Sequence, residues 1–177
     1  MKMKKDLQIR DAIESDRDAI REVTLSAFQQ YAALMPAHWE EYRRRMLATL
    51  AQAAPAEQIV AERDGLLVGA VLLYPAGAVF SRPNNPPATL AWPEARLLAV
   101  APAARGQGVG EALMQECIRR AGRSGAAALT LHTSDIMQGA MRMYERIGFV
   151  RAPELDFHIP PDVTVKGYRL DLKGSTG

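Results

Sequence analysis

Cysteine, histidine and aromatic residues are scarce in this chain of 177 residues. The single cysteine, Cys117, excludes a disulfide within the chain and suits a reducing cytoplasm. Because no base is evident beside it, we interpret Cys117 as a packing residue and not as a nucleophile. The three histidines stand far apart in the sequence, so no metal site is predicted.

An excess of one charge and long apolar runs are also missing. The net charge of +2 is too small and too scattered to favour nucleic acid as a partner. A tight basic cluster at Lys2, Lys4 and Lys5 is interpreted as a frayed N-terminus. No apolar stretch approaches the length of a membrane span, and the first residues do not resemble a signal peptide. We therefore expect a cytoplasmic protein with neither a nucleic-acid nor a membrane partner.

Strand and helix patterns alternate along the chain, which predicts an α/β or α+β fold around one mixed sheet. Residues 75–93 hold five prolines and are predicted to form a long loop. No linker is evident, so we expect one domain over residues 1–177 with an ordered core of about 6–172. The predicted strands are 7–12, 58–63, 66–74, a run from Leu97, 126–133, 149–159 and 165–172. The predicted helices follow a cap at Ser15 or Asp16, span 39–50, begin after Gly110, and span 138–147 with Gly148 as the closing residue.

The most informative segment is a glycine-rich turn between a predicted strand and a predicted helix. An apolar run ends at a proline, and Arg105, Gly106, Gly108 and Gly110 then lead directly into an amphipathic helix. A helix N-terminus has free backbone N–H groups, and the helix dipole adds partial positive charge there. The segment therefore predicts a binding site for a diphosphate.

The spacing of the glycines separates three known phosphate-binding motifs. Gly110 is followed by Glu111-Ala112, which excludes a Walker A loop, and the spacing departs from the dinucleotide motif G-x-G-x-x-G. Arg105-x-x-Gly108-x-Gly110 after a Val-x-Pro strand end resembles the R/Q-x-x-G-x-G/A motif of the GNAT acetyltransferase superfamily. The alternative is a turn that uses glycine only for its backbone freedom.

The resemblance covers most of the chain in the expected order. Residues 140–149, AMRMYERIGF, are similar to the family's second signature, a helix that carries a tyrosine and ends in Gly-Phe. Residues 9–28 are similar to the family's opening strand and helix. The resemblance implies a central mixed, mostly antiparallel, twisted sheet flanked by about four helices. It also implies acetyl-CoA as co-substrate and direct acetyl transfer, in a ternary complex, to a primary amine of a small molecule or peptide.

The family pattern implies which residues of this sequence meet acetyl-CoA. Main-chain groups near the end of the core strand would contact the pantetheine arm, and the turn would hold the pyrophosphate, with Arg105 positioning the turn or meeting a phosphate. The implied cofactor-binding residues are Leu98, Ala99, Val100, Arg105, Gly106, Gln107, Gly108, Val109 and Gly110. Many relatives have asparagine near position 137, where this chain has Met137, so Ser134 or Asp135 is the expected substitute.

Two residues are implied as catalytic. Tyr144 would protonate the departing thiolate, and the alternative is a core tyrosine packed with Ala140 and Ile147. Glu94 would deprotonate the amine, often through water in relatives, if partial burial raised its pKa. The alternative for Glu94 is a solvent-facing loop residue. His132 could reach the site, although a lone histidine at such a position is more often structural.

The acceptor is less determined than the donor. The resemblance places the acceptor pocket between the first two helices, the long loop and the last hairpin, with residues 80–92 as a candidate lid. The side chains offered there are Tyr31, Met35, Trp39, Tyr42, Phe80, Trp92, Phe157 and His158. Aromatic groups with few acids suggest a small amine or an amino-acid-like acceptor. A CoA-binding regulatory module without turnover, an acyltransferase for longer or oxygen-linked acyl transfer, and a homodimer stay open.

Overall fold

A computed structural model describes residues 6–82, 84–159, 161 and 163–173 of the chain. The helices are α1 (Arg17–Phe28), α2 (Trp39–Ala51), α3 (Val109–Arg123) and α4 (Gln138–Ile147). The strands are β1 (Gln8–Asp11), β2 (Glu57–Arg63), β3 (Leu66–Tyr74), β4 (Val79–Arg82), β5 (Asn85–Thr89), β6 (Glu94–Val100), β7 (Ala128–Thr133), β8 (Val150–Arg151), β9 (Phe157–Ile159) and β10 (Val163–Asp171). Within these described residues, no helix is both long enough and apolar enough to cross a membrane.

The described chain divides into two compact units. The first contains the residues up to Leu73 together with Leu97–Glu116, and the second contains Tyr74–Arg96 and the residues from Cys117 onward. Strand β6 and helix α3 therefore contribute residues to both units.

The first unit is an antiparallel meander covered by helices. Strand β2 pairs with β1 on one side and with β3 on the other, both antiparallel. The β2–β3 turn has positive φ at Asp64 and Gly65, as a tight hairpin turn requires, so the predicted hairpin is confirmed. Helix α1 buries Ile20 and Val23 against the sheet.

A glycine on β3 makes room for helix α3. A Cβ atom at Gly69 would lie 2.8 Å from Val109 Cγ1 and 3.1 Å from the carbonyl oxygen of Ala99. No side chain fits at that separation without moving its neighbours. Gly69 thus lets the first turn of α3 pack directly on the strand.

The second unit carries the parallel pairing of the mixed sheet. The first residues of β6 run parallel to β7, in the register Glu94 with Thr130 and Ala95 with Leu131. Strand β7 pairs antiparallel with β10, which also pairs antiparallel with β8 and with β9. Parallel and antiparallel pairs in one sheet flanked by helices confirm the predicted fold class.

Three local predictions are corrected. The predicted loop 75–93 contains the β4–β5 hairpin, which its prolines obscured; a two-stranded ribbon tolerates proline because each strand has a free edge. The predicted strand 149–159 is β8, a 3₁₀ turn at Pro153–Leu155 and then β9. The Asp16 carboxylate accepts the N–H of Ile13 at 2.8 Å and does not cap α1. Lys2, Lys4 and Lys5, named in the sequence analysis, lie outside the described residues.

Candidate functional site

The glycine turn has the backbone conformation that its sequence predicts. Gly106 and Gly108 have φ of +69° and +79°, a region that side-chain-bearing residues rarely adopt. Both are exposed, and no other atom lies near the position that a Cβ would take. Gly110, in contrast, already belongs to α3. Two of the three glycines are therefore required by the turn conformation.

Helix α3 begins directly after this turn. The N–H of Ala112 donates to the carbonyl of Gly108 at 3.0 Å, which closes the first helical turn. The N–H groups of Val109, Gly110 and Glu111 precede it, and they are the donors that a helix N-terminus leaves without an intrahelical acceptor. An exposed turn followed by these donors can bind an anion.

Hydrogen bonds from the side chains of Arg105 and Gln107 hold the glycine turn in place. Arg105 donates through Nη2 to the carbonyl of Ala27 at 3.0 Å, in the last turn of α1, where the helix dipole favours a cation. Gln107 donates to the carbonyl of Ala103 and accepts a hydrogen bond from Arg63 at 2.6 Å. Arg105 is thus anchored to the end of α1, and both roles predicted for it stay predictions.

Strand β6 is interrupted at Leu97, whose φ is +50°. The parallel ladder to β7 consists of the two pairs at Glu94 and Ala95, so it ends before this residue. A left-handed residue of this kind costs about 1–2 kcal/mol and bends a strand. Ala99 is buried, whereas Leu98 and Val100 are half-buried. The expected contact of Leu98, Ala99 and Val100 with the pantetheine arm stays a prediction.

Glu94 is the first residue of β6 and not a loop residue. Only 1% of its surface is exposed. Arg96 donates through Nε to its Oε1, and Nδ1 of His132 lies 3.2 Å from its Oε2. Burial raises the pKa of Glu94, but the close contact with His132 and the charge of Arg96 outweigh it, so the net pKa is below the ordinary range. The condition set for Glu94 as a base, a pKa raised by partial burial, is therefore not met, because the contacts with Arg96 and His132 were not foreseen.

His132 lies between two acceptors. Its Nε2 is 2.8 Å from the carbonyl oxygen of Leu155, and its Nδ1 faces Glu94 without good hydrogen-bond alignment. With both ring nitrogens directed at oxygen atoms, the ring is placed to hold Glu94 and not to accept a proton from an amine.

Arginines and aromatic rings extend this arrangement. We call Tyr74, Phe80, Arg82, Arg96 and Phe157 the arginine–aromatic cluster. The Cζ of Arg96 lies 3.8 Å from the ring centroid of Phe80 and 5.1 Å from that of Tyr74. The Cζ of Arg82 lies 5.8 Å from the centroid of Phe80 and 5.3 Å from that of Phe157. These separations are within the range of cation–π attraction.

The arginine–aromatic cluster is also connected to the Glu94 carboxylate through the ring of His132. The imidazole of His132 meets Phe157 edge to face, with centroids 5.2 Å apart. The sequence predicted Phe80 and Phe157 as acceptor residues but missed both arginines. Arg96 had a signal, since it stands two residues after Glu94 in a strand and shares its face. Arg82 had none, because the prolines around it predicted a loop.

Tyr144 is buried on α4. Its ring meets Phe149 edge to face at 6.0 Å, and its carbonyl accepts the N–H groups of Gly148 and Phe149. Gly148, with φ of +117°, ends the helix as predicted. The Gly-Phe of the second signature is thus a helix cap that packs on the tyrosine.

The remaining predicted residues divide between the two units. Phe28, Tyr31, Trp39 and Tyr42 form ring contacts within the first unit. Asp135 forms an ion pair with Lys166, whereas the carbonyl of Ser134 accepts the N–H of Met137. Among the described residues, no group of three or more His, Cys, Asp or Glu side chains could hold a metal ion.

Comparison with known proteins gives a family and a relative. The model of the acetyltransferase (GNAT) family matches residues 18–149. The chain is similar to the L-2,4-diaminobutyric acid acetyltransferase of Nocardia farcinica, with 32% identity over 101 residues. That match covers 57% of this chain and 47% of the relative, so the chain matches about half of the relative's length.

Solved structures share the fold. A GNAT family acetyltransferase from Brucella melitensis, in complex with acetyl-CoA, is 23% identical with a TM-score of 0.62, covering 97% of this chain and 92% of that one. A GNAT family acetyltransferase from Staphylococcus aureus Mu50 is 17% identical with a TM-score of 0.69, covering 95% and 100%. Since the family model spans most of the chain and the fold agrees, this protein belongs to the acetyltransferase (GNAT) family.

Proposed function

We propose that this protein is an acetyl-CoA-dependent N-acetyltransferase that acts by direct attack of a primary amine in a ternary complex. The observation that carries the proposal is the exposed Gly106–Gly108 turn at the start of α3 in a chain of this family. The Brucella melitensis neighbour is described with acetyl-CoA, and the Nocardia farcinica relative is named for a small diamino acid. A small amine is therefore the proposed acceptor.

The proposed donor site uses main-chain groups. The turn and the N–H groups of Val109 and Gly110 bind the pyrophosphate, and the bend at Leu97 lets Leu98 to Val100 pair with the pantetheine arm. Ser134 is retained in place of the asparagine that relatives carry, because the side chain of Asp135 is held by Lys166. Arg105 and Gln107 act by fixing the turn.

The proposed chemistry needs two proton transfers. The acceptor enters as an ammonium and must lose a proton before its nitrogen attacks the thioester carbonyl; the amide bond then forms and the C–S bond breaks. Glu94, present as the carboxylate, takes the amine proton through water. The hydroxyl of Tyr144 gives a proton to the departing thiolate.

A matched pair of glycine variants tests the donor site. Gly108 and Gly125 both have φ of +79°, and neither has an atom near its missing Cβ, so alanine strains the backbone equally at both positions. We expect each variant to lose about 1 kcal/mol of stability. Only Gly108→Ala should weaken acetyl-CoA binding, by roughly tenfold in the Kd measured by calorimetry. Thiol release is followed in parallel by a chromogenic assay. Equal acetyl-CoA affinity in the two variants would contradict the proposed site.

A further inference from the structure

We propose that Arg82 binds a carboxylate of the acceptor, so that the substrates are amines that also carry an acid group. This rests on the proposed function and names the substrate class of the same site. The inference comes from the surroundings of Arg82 in the second unit.

Arg82 has an unsatisfied and partly desolvated guanidinium. It stacks against Phe80 and Phe157, and its Nη2 donates to the carbonyl of Pro86 at 3.2 Å. Its Nε is buried and has no hydrogen-bond partner among the residues that the structure describes. A buried donor without an acceptor is unfavourable, and a charged one more so. The Nε edge of the guanidinium thus lacks the acceptor that a buried charged donor requires.

Comparison with other arginines shows that Arg82 differs. Four described arginines lie over aromatic rings: Arg82, Arg96, Arg151 and Arg169. Three of them also meet a carboxylate, namely Arg96 with Glu94, Arg151 with Asp156 and Arg169 with Asp171. No described carboxylate forms an ion pair with Arg82. Among these four arginines, Arg82 is therefore the one for which the described residues supply no carboxylate counterion.

The position of Arg82 connects it with the proposed base. Arg82 contacts Phe157, Phe157 contacts His132, and His132 faces Glu94. The ring of Phe80 also contacts both guanidinium groups, that of Arg82 and that of Arg96. The guanidinium and Glu94 therefore belong to one continuous cluster, in which Glu94 pairs with Arg96 and reaches Arg82 only through the intervening rings.

The hairpin that carries Arg82 is tied to its neighbour. Asn85, at the start of β5, donates to the carbonyl of His158 on β9 at 2.7 Å. This bond holds β5 beside β9, which also carries Phe157. Arg82 is consequently presented from a braced position, as a specificity residue requires.

The charge balance favours a carboxylate over a phosphate. Arg96 is already neutralised by Glu94, which leaves one guanidinium for the ligand. A planar carboxylate with one negative charge matches a single guanidinium fork, whereas a phosphate dianion would require a second free cation.

Matched substrates test the inference in the full-length protein. A panel of primary-amine acids, including L-2,4-diaminobutyrate, is compared with the corresponding carboxamides, which keep the size and remove the charge. Thiol release gives kcat/KM for each member, and calorimetry in the presence of CoA gives Kd where turnover is absent. The variants are Arg82→Gln and Arg82→Lys. Arg21→Gln is the control, because Arg21 is exposed on α1 and its loss changes the net charge equally.

We expect the wild-type protein to prefer acids over amides by roughly tenfold or more. Arg82→Gln should remove this preference by weakening the acids alone, Arg82→Lys should retain part of it, and Arg21→Gln should leave it unchanged. The inference is overturned if the wild-type protein shows no preference across the panel in turnover or binding, or if both Arg82 variants keep it. Acetyl transfer to amides and acids alike would leave the proposed function intact, whereas failure to bind acetyl-CoA would contradict that function separately.

Discussion

At Glu94, burial and charge act on one carboxyl group in opposite directions. Removal from water raises its pKa, and the contacts with His132 and Arg96 lower it by more. The group is therefore ionised at neutral pH and is a weak base. It is suited to pair with Arg96 and to take a proton briefly through water, and it is not suited to store a proton near pH 7.

Substitution of Glu94 should lower kcat/KM, but the rate should still rise with pH as it does in the wild-type protein. We expect Glu94→Gln to reduce kcat/KM by roughly a hundredfold, and to cost about 3 kcal/mol of stability because Arg96 loses its counterion. Between about pH 6 and pH 9 both proteins should gain rate with pH, since the acceptor ammonium is the group that titrates there. Glu41→Gln, at an exposed carboxylate on α2, is the control. A rising limb present in the wild type and missing in Glu94→Gln would contradict this account.

The hydroxyl of Tyr144 should matter for turnover. Phenylalanine at this position keeps the ring contact with Phe149, so Tyr144→Phe changes the hydroxyl alone. We expect kcat to fall by roughly tenfold to a hundredfold with little change in acetyl-CoA affinity. Tyr168→Phe removes another buried tyrosine hydroxyl, the one that donates to Glu145, and should keep full activity. Equal kcat in the two variants would leave Tyr144 as a packing residue.

At the scale of elements, β10 and the turn at Pro153–Leu155 position His132. A Cβ at Gly167 would collide with the Cβ of Leu155 and lie 2.9 Å from the carbonyl oxygen of Ala152. The same turn presents the Leu155 carbonyl to His132. The close approach of strand and turn is thus a condition for the orientation of the imidazole.

Adding one methyl group at Gly167 should disturb both stability and turnover. We expect Gly167→Ala to cost about 2 kcal/mol in urea unfolding, because backbone must move to relieve the overlap. Activity should fall as well, as Leu155 shifts away from His132. Gly122→Ala is the matched control within α3, where no atom is near and alanine favours the helix. Unchanged stability in Gly167→Ala would show that the Pro153–Leu155 turn can move away from β10 at little cost, which contradicts this prediction.

At the scale of the whole molecule, each unit contains an aspartate held by an arginine. Arg10 lowers the pKa of Asp16 in the first unit, and Arg151 lowers the pKa of Asp156 in the second, in both cases through side-chain hydrogen bonds. A lowered pKa in the folded state means that the unfolded chain binds more protons as the pH falls. The stability from both pairs is therefore complete above the ordinary aspartate pKa of about 4 and is lost below it.

Acid unfolding should report these two pairs. We expect the free energy of unfolding, measured in urea from about pH 7 to pH 3, to decrease as the pH falls through the aspartate range. Asp16→Asn and Asp156→Asn should each lower the stability at pH 7 by about 1–3 kcal/mol and reduce the slope below about pH 4. A slope unchanged in both variants would mean that other carboxyl groups control the acid limb.

Local patterns were sufficient where the chain's own conformation decides the outcome. The Asp64-Gly65 hairpin, the glycine turn before α3 and the Gly148 cap were predicted from sequence, because each requires a positive φ that few residues adopt. The β4–β5 hairpin and the break before β9 were not, since prolines obscure short strands and pairing depends on distant partners.

The sequence by itself determined the helices and the longer strands in their order, the family resemblance and the donor motif, because spacing and backbone preference are local properties. Tertiary structure alone decided the environment of Glu94, the hydrogen bond from Arg105 to Ala27 and the isolation of Arg82 from any described carboxylate. Those depend on which side chains meet across strands far apart in the chain, as with Glu94 and His132. Charge and burial act through space, so the direction of a pKa shift and the need for a counterion follow only from the folded chain.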